Sequence, residues 1–223
     1  EWKDIIKIGR THLQDAVPLT LGQEVSAWEA QLETALERIE INLKELYALP
    51  LGGTAIGTGL NTPENFDNLI AQDIARKTNL PFTTATNKFA IMASHDGLVN
   101  MMSQIKLLAV ALLKIINDIR LLSCGPRAGL GELELPANEP GSSIMPGKVN
   151  PTQCEAMSMV CLQVIGLEDA VTNAGYGGHL QMNAYKPLIG FNLINSINLL
   201  RDASRCCRES MIEGIKPNIK NIK

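Results

Sequence analysis

The side chains best suited to chemistry in this sequence fall in one short run, Gly141-Ser142-Ser143-Ile144-Met145-Pro146-Gly147-Lys148-Val149-Asn150-Pro151. It holds two hydroxyls, an ammonium and an amide, with glycine and proline spaced so that the backbone loops instead of coiling. Such a composition suits a loop that closes over a small polar ligand, and it equally suits a plain surface connector. Asn150-Pro151 predicts a helix start, because asparagine is a strong N-cap and proline is best tolerated at the first helical position. The free N–H groups and dipole of that helix would attract an anion. Lys148 is then either a solvated loop cation or the partner of a substrate carboxylate. Glu155, in the first turn, either complements the helix dipole or orients and charge-tunes a histidine.

Histidine is the side chain best matched to proton transfer near neutral pH, and the sequence has three. His95 sits inside a long helical pattern and reads as structural or surface. His179 follows a glycine break and stays unassigned. His12 lies beside Thr11, Gln14 and Asp15 in a polar segment, where its ring serves either catalysis or a backbone hydrogen bond. No pair of His or Cys has ligand spacing, and no GxGxxG follows a strand, so neither a metal nor a dinucleotide cofactor is expected.

The scaffold for these groups is helical. Hydrophobic residues make up 45% of the 223 and aromatics only 4%, which favours aliphatic helix packing over a sheet-based core. A net charge of -3 and a pI near 5.7 give no basic field for nucleic acid or anionic lipid. The five cysteines, Cys124, Cys154, Cys161, Cys206 and Cys207, form no CxxC pair and read as reduced, mostly buried thiols of a cytoplasm-like compartment, or of a mitochondrial matrix in a eukaryote. No run is long and uncharged enough to span a bilayer. The start at Glu1-Trp2-Lys3, without methionine, suggests a piece of a longer protein.

In chain order, residues 1–21 read as irregular. Thr20 with Gln23 resembles a capping box, and Val25, Trp28, Leu32, Leu36, Ile39, Leu43 and Leu46 form one amphipathic stripe. Residues 52–59 are too glycine-rich for a helix. A second helix restarts at Thr62-Pro63 and stops by Asn79. From Asn87 the positions Leu98, Met102, Ile105, Ala109, Leu112, Ile116 and Ile119 predict one helix to Leu122, about 50 Å long at 1.5 Å per residue. Residues 125–147 form a long loop of the kind that is usually functional or disordered. A helix after Pro151 has Ala156, Met159, Val160 and Val164 on one face. The last has Leu188, Phe191, Ile194, Leu199, Ala203 and Cys207 inward. The expected fold is all-α, a long-helix bundle of about five helices with site loops at its ends.

At this point several motifs agree. Gly9-Arg10-Thr11-His12-Leu13-Gln14-Asp15-Ala16, the turn at residues 53–62, Gly125-Pro126-Arg127-Ala128-Gly129-Leu130-Gly131-Glu132 and the run from Gly141 to Pro151 resemble the fumarase/aspartase superfamily. Within it, Thr152-Gln153-Cys154-Glu155-Ala156 is similar to the class II fumarate hydratase branch, whereas Leu180-Gln181-Met182-Asn183 is closer to the aspartase form. The resemblance implies a central helical domain over residues 1–216, with 217–223 opening a truncated C-terminal region. It implies a homotetramer whose active sites are shared between subunits. It implies Ser142 as base with Ser143 in substrate contact, His12 as acid/base acting through water, and Glu155 polarising that imidazole. Thr11, Lys148 and Asn150 would bind a small dicarboxylate, fumarate or malate, without a cofactor. Ammonia addition or loss and a helical assembly without activity are the alternatives.

Overall fold

A computed structural model describes residues 2–222. Its order is β1 (Ile6–Thr11), β2 (Gln14–Thr20), α1 (Leu21–Leu43), β3 (Ala48–Leu49), α2 (Phe66–Thr78), β4 (Thr83–Thr84), α3 (Lys88–Ala93), α4 (Asp96–Leu122), β5 (Leu133–Glu134), α5 (Thr152–Tyr176), α6 (Lys186–Ser210) and β6 (Lys216–Pro217). The fold is helical, as expected, and the chain divides into two compact units. The first holds residues up to Ala35, Leu108–Gln163 and Asn198 onward; the second holds Leu36–Leu107 and Val164–Ile197.

In the first unit β1 and β2 pair antiparallel, where the sequence predicted irregular chain. Thr11 faces Gln14 and Ile6 faces Thr20, with a bulge between Ile8 and Arg10. Glycine is required at the bulge, since a Cβ on Gly9 would stand 2.8 Å from the Val17 carbonyl oxygen. The capping box forms as expected: the Gln23 N–H donates to Thr20 Oγ1 at 3.1 Å and the Thr20 N–H donates to Gln23 Oε1 at 2.9 Å. Behind it lies a core of Leu21, Trp28, Ile116, Ile119, Cys154, Met157, Leu200 and Met211. The Trp28 indole N–H donates to Asp118 at 3.1 Å, which gives that ring's polar edge a partner. Residues 125–147 are not wholly irregular, because β5 pairs antiparallel with β6 and the Asn218 N–H donates to the Glu132 carbonyl at 2.8 Å.

An ion network ties this unit together. Lys7 and Glu132, each only 1% exposed at the side chain, lie 2.7 Å apart; Lys7 also reaches Glu24 at 2.7 Å, and Arg10 reaches Glu132 at 2.6 Å. Burial pushes the Glu132 carboxyl up, but the bonds from Arg10 and Lys7 outweigh it and hold it below the usual glutamate range. The same pairing raises the Arg10 guanidinium.

In the second unit β3 and β4 pair parallel, and Ala71, Met102, Ile105, Val171, Ile189 and Leu193 are buried. Buried Glu168 is satisfied by Lys106 at 2.7 Å, Ser103 at 3.1 Å and Thr172 at 2.9 Å. Asn183, fully buried, donates to the carbonyls of Ala174 and Gly175 and accepts from the Tyr185 N–H, closing the turn between α5 and α6. The single helix expected from Asn87 to Leu122 is two, which raises the count among described residues from five to six. Ser94 is extended (φ -136°, ψ 167°) and ends α3 through its N–H on the Ala90 carbonyl. The His95 carbonyl then accepts from Leu98 and Val99 to start α4, and its Nε2 lies 3.2 Å from the Asn183 carbonyl. The His95 ring thus has a backbone partner, which fits its reading as a structural or surface residue.

The inward faces of the last two helices also differ from the sequence reading. Along α5 the buried seam is Cys154, Met157, Cys161, Val164, Glu168 and Val171, alternating by three and four, while Ala156 and Met159 are exposed. On α6 Leu188, Phe191 and Ile194 are exposed, and Ile189, Leu193, Leu200 and Cys207 are buried together with Ser196. Both helices are apolar on two faces, so a single stripe does not say which one is turned inward.

Two outcomes are expected. Because Glu132 has a lowered folded-state value, its contribution is full above the ordinary glutamate range and is lost as pH falls through that lowered value. Glu132→Gln should cost ~3–5 kcal/mol at neutral pH, and its urea midpoint should fall less on acidification than that of the unaltered protein. Burial pushes Cys154 up to about 12 and Cys161 and Cys207 up to about 11. A thiol reagent at neutral pH should therefore label exposed Cys206 in the folded protein, and these three only after unfolding, counted by intact mass.

Candidate active site

Between Glu134 and Thr152 the chain runs without helix or strand. Gly141 (φ +77°) and Gly147 (φ +79°) bracket a tight loop, and a Cβ on Gly141 would lie 2.7 Å from the Lys148 carbonyl oxygen. Only glycine lets the two ends of the loop approach this closely. Inside it, the N–H groups of Ile144 and Met145 donate to Ser142 Oγ at 3.2 and 3.3 Å. A serine oxygen receiving two backbone donors is better placed to carry negative charge than a solvated one. Ser142 is half-buried; Ser143, Lys148 and Asn150 are exposed. Helix α5 begins at Thr152, and the Pro151 carbonyl accepts from the Glu155 N–H at 3.1 Å, so the start lies about one residue later than expected.

Beside the loop is a cavity of about 510 Å³ lined by Lys148, Asn150 and Pro151, by Arg120, Ser123 and Cys124, and by Glu134 and Asn218. Two cations, an ammonium and a guanidinium, face one carboxylate in this lining, a balance that favours an anionic ligand. Glu155 lies one turn into α5, where Arg120 Nη2 meets its Oε1 at 3.2 Å.

Thr11 and His12 stand on the β-hairpin. His12 (φ 54°) and Leu13 (φ 63°) are the two residues between the strands, both left-handed, in the pattern usually filled by Asn-Gly. Neither has the freedom of glycine, so the turn is strained by roughly 1–3 kcal/mol per residue. The strand beneath it is gripped by Arg10 and Lys7 on Glu132, which is how such a turn can persist. The turn leaves the His12 ring exposed.

The structure thus brings Lys148 and Asn150 to one cavity, puts Ser142 and Ser143 on the adjoining loop and Glu155 just behind it. Thr11 and His12 form a second cluster. Among the described residues no hydrogen bond or ion pair joins the two clusters. Sequence reasoning missed Arg120, whose place in the last turn of α4 reads as an ordinary exposed helix end. It also gave Arg10 and Glu132 no role of their own, although both stand in quoted motifs.

Comparison with known proteins gives this helical scaffold a family. A family model described as Lyase matches residues 1–166, and the chain belongs to that lyase family. It is 70% identical over 217 residues to a class II fumarate hydratase of Prochlorococcus marinus, covering 97% of this chain and 47% of that protein. Against the same enzyme of a second strain it is 69% identical, covering 100% of this chain and 48% of the other. The crystal structure of a class II fumarase from Schistosoma mansoni superposes with a TM-score of 0.97 at 43% identity, covering 99% of this chain and 49% of that one. The chain spans about half the length of the curated relatives it matches. No helix of the described residues is long and apolar enough to cross a membrane.

The loop geometry carries its own test. Gly147→Ala meets open space and pays only for its positive φ, whereas Gly141→Ala also collides with the Lys148 carbonyl. Amide exchange at Ile144 and Met145, read by mass spectrometry, should speed up far more in the Gly141 variant.

Proposed function

We propose that the protein to which this chain belongs catalyses the reversible hydration of fumarate to L-malate. The observation that carries the proposal is Ser142 Oγ, which accepts two backbone N–H bonds beside a cavity lined by Lys148 and Asn150. The likeness to class II fumarate hydratases supports the substrate class.

In the dehydration direction the Ser142 alkoxide takes a proton from the carbon next to one carboxylate. The electron pair is held as a doubly charged aci-carboxylate, which Lys148 and the N–H groups at the start of α5 stabilise. It then forms the double bond as the hydroxyl leaves the neighbouring carbon, protonated to water by His12, directly or through a bound water. Glu155 orients and charges that imidazole, Thr11 and Asn150 hold the substrate, and Ser143 contacts it. No step needs a metal or an organic cofactor.

Among the described residues no hydrogen bond or ion pair joins Thr11 or His12 to the loop, which fits a site assembled between copies in a homotetramer. The exposed Leu188, Phe191 and Ile194 of α6, in the second unit, support burial against other copies. Residues 1–216 then form the central domain of the longer protein, residues 217–223 open its C-terminal region, and the enzyme works in the cytoplasm.

The protein carrying this chain in full should form fumarate from L-malate, followed by ultraviolet absorbance, and release no ammonia from aspartate. Ammonia release would assign it to the other branch. Ser142→Ala should lower kcat by about 10²–10⁴, and unchanged turnover would remove Ser142 as the base.

A further inference from the structure

We propose that Arg120 is a positioning residue: from the last turn of α4 its guanidinium holds one oxygen of Glu155 and leaves the other for the imidazole of His12. The inference rests on the hydratase reading above, in which Glu155 polarises His12. The contact is Arg120 Nη2 to Glu155 Oε1 at 3.2 Å, between two helices of the same compact unit. Oε2 of the same carboxylate has no hydrogen-bond partner among the described residues.

Stability is a weak reason for this pair. Arg120 and Glu155 are 48% and 44% exposed at their side chains, and ion pairs so open to water contribute little to folding. Orientation is a better one. A glutamate in the first turn of a helix has three rotatable bonds and would sample several rotamers if unpartnered. A guanidinium at the end of a neighbouring helix removes much of that freedom and leaves the second oxygen directed for an incoming imidazole. A carboxylate that orients a histidine is itself usually held by a further hydrogen bond, and Arg120 supplies it here.

Arg120 also lines the cavity with Lys148 and Asn150, which raises a competing role, direct binding of the substrate carboxylate. The two roles separate kinetically. A positioning residue acts on turnover through Glu155; a substrate-binding cation acts on KM. The half-exposed site also means that Arg120→Met should fold, with a melting temperature close to that of the unaltered protein.

The experiment is a double-mutant cycle in the full-length protein with malate as substrate, using Arg120→Met, Glu155→Gln and the pair. Arg120→Met is expected to lower kcat about tenfold or more with KM within about threefold, Arg120→Lys to recover part of the loss, and Arg120→Met to change kcat less than about twofold once Glu155 is already Gln. A large rise in KM with kcat unchanged, or a full additional loss in the Gln background, overturns the positioning role. If Glu155→Gln alone leaves kcat unchanged, the assignment of Glu155 fails first and takes this inference with it.

Discussion

The buried exchange of charge around Glu132 is the constraint on which the first unit depends. Its two carboxylate oxygens meet Arg10 and Lys7, and Lys7 meets Glu24, so that a loop, a strand and the first helix share one charge-neutral knot. Replacing such a knot with apolar groups could be energetically neutral, whereas removing one member leaves a charge stranded away from water. What the knot contributes beyond stability is register. Arg10 lies two residues before the turn residue His12, so the hairpin cannot slide along the loop without separating a buried pair.

That register is useful because the neighbouring elements are also fixed at their ends. The capping box starts α1 directly after β2, β6 pairs with β5, and the Asn218 N–H caps the carbonyl of Glu132 itself. The proposed catalytic loop follows β5 after only a few residues. The stretch from about Leu135 to Pro151 carries no helix or strand, and within it the backbone of Gly141 passes close to the Lys148 carbonyl. Rigid supports with one short adaptable segment between them are an economical way to close a polar loop on a small anion.

Much of this was legible in the amino-acid order. The α4 stripe, the capping box and the polar run at residues 141–151 follow from spacing and residue type. The hairpin escaped because β2 contains Pro18 and exposed polar residues, and because its turn is made by His-Leu instead of an Asn-Gly signal. The break at Ser94 escaped because helical periodicity continues on both sides, and only tertiary contacts of His95 with the Asn183 carbonyl mark it. The inward face of α6 escaped for a different reason. A helix that is apolar on two sides carries no internal label saying which side meets its own chain. Arg120 escaped because the partner that gives it meaning lies 35 positions away in the sequence.

The left-handed pair at His12 and Leu13 has a consequence for how this sequence can drift. A glycine at position 13 would relax the turn and, by itself, make the hairpin more comfortable. Selection for a sturdier fold therefore pulls this corner toward glycine, and the role proposed for His12 supplies an opposing demand, on where the imidazole points. A descendant in which that corner had softened would keep its helices and melt later, the mark of a protein released from the task proposed for the corner.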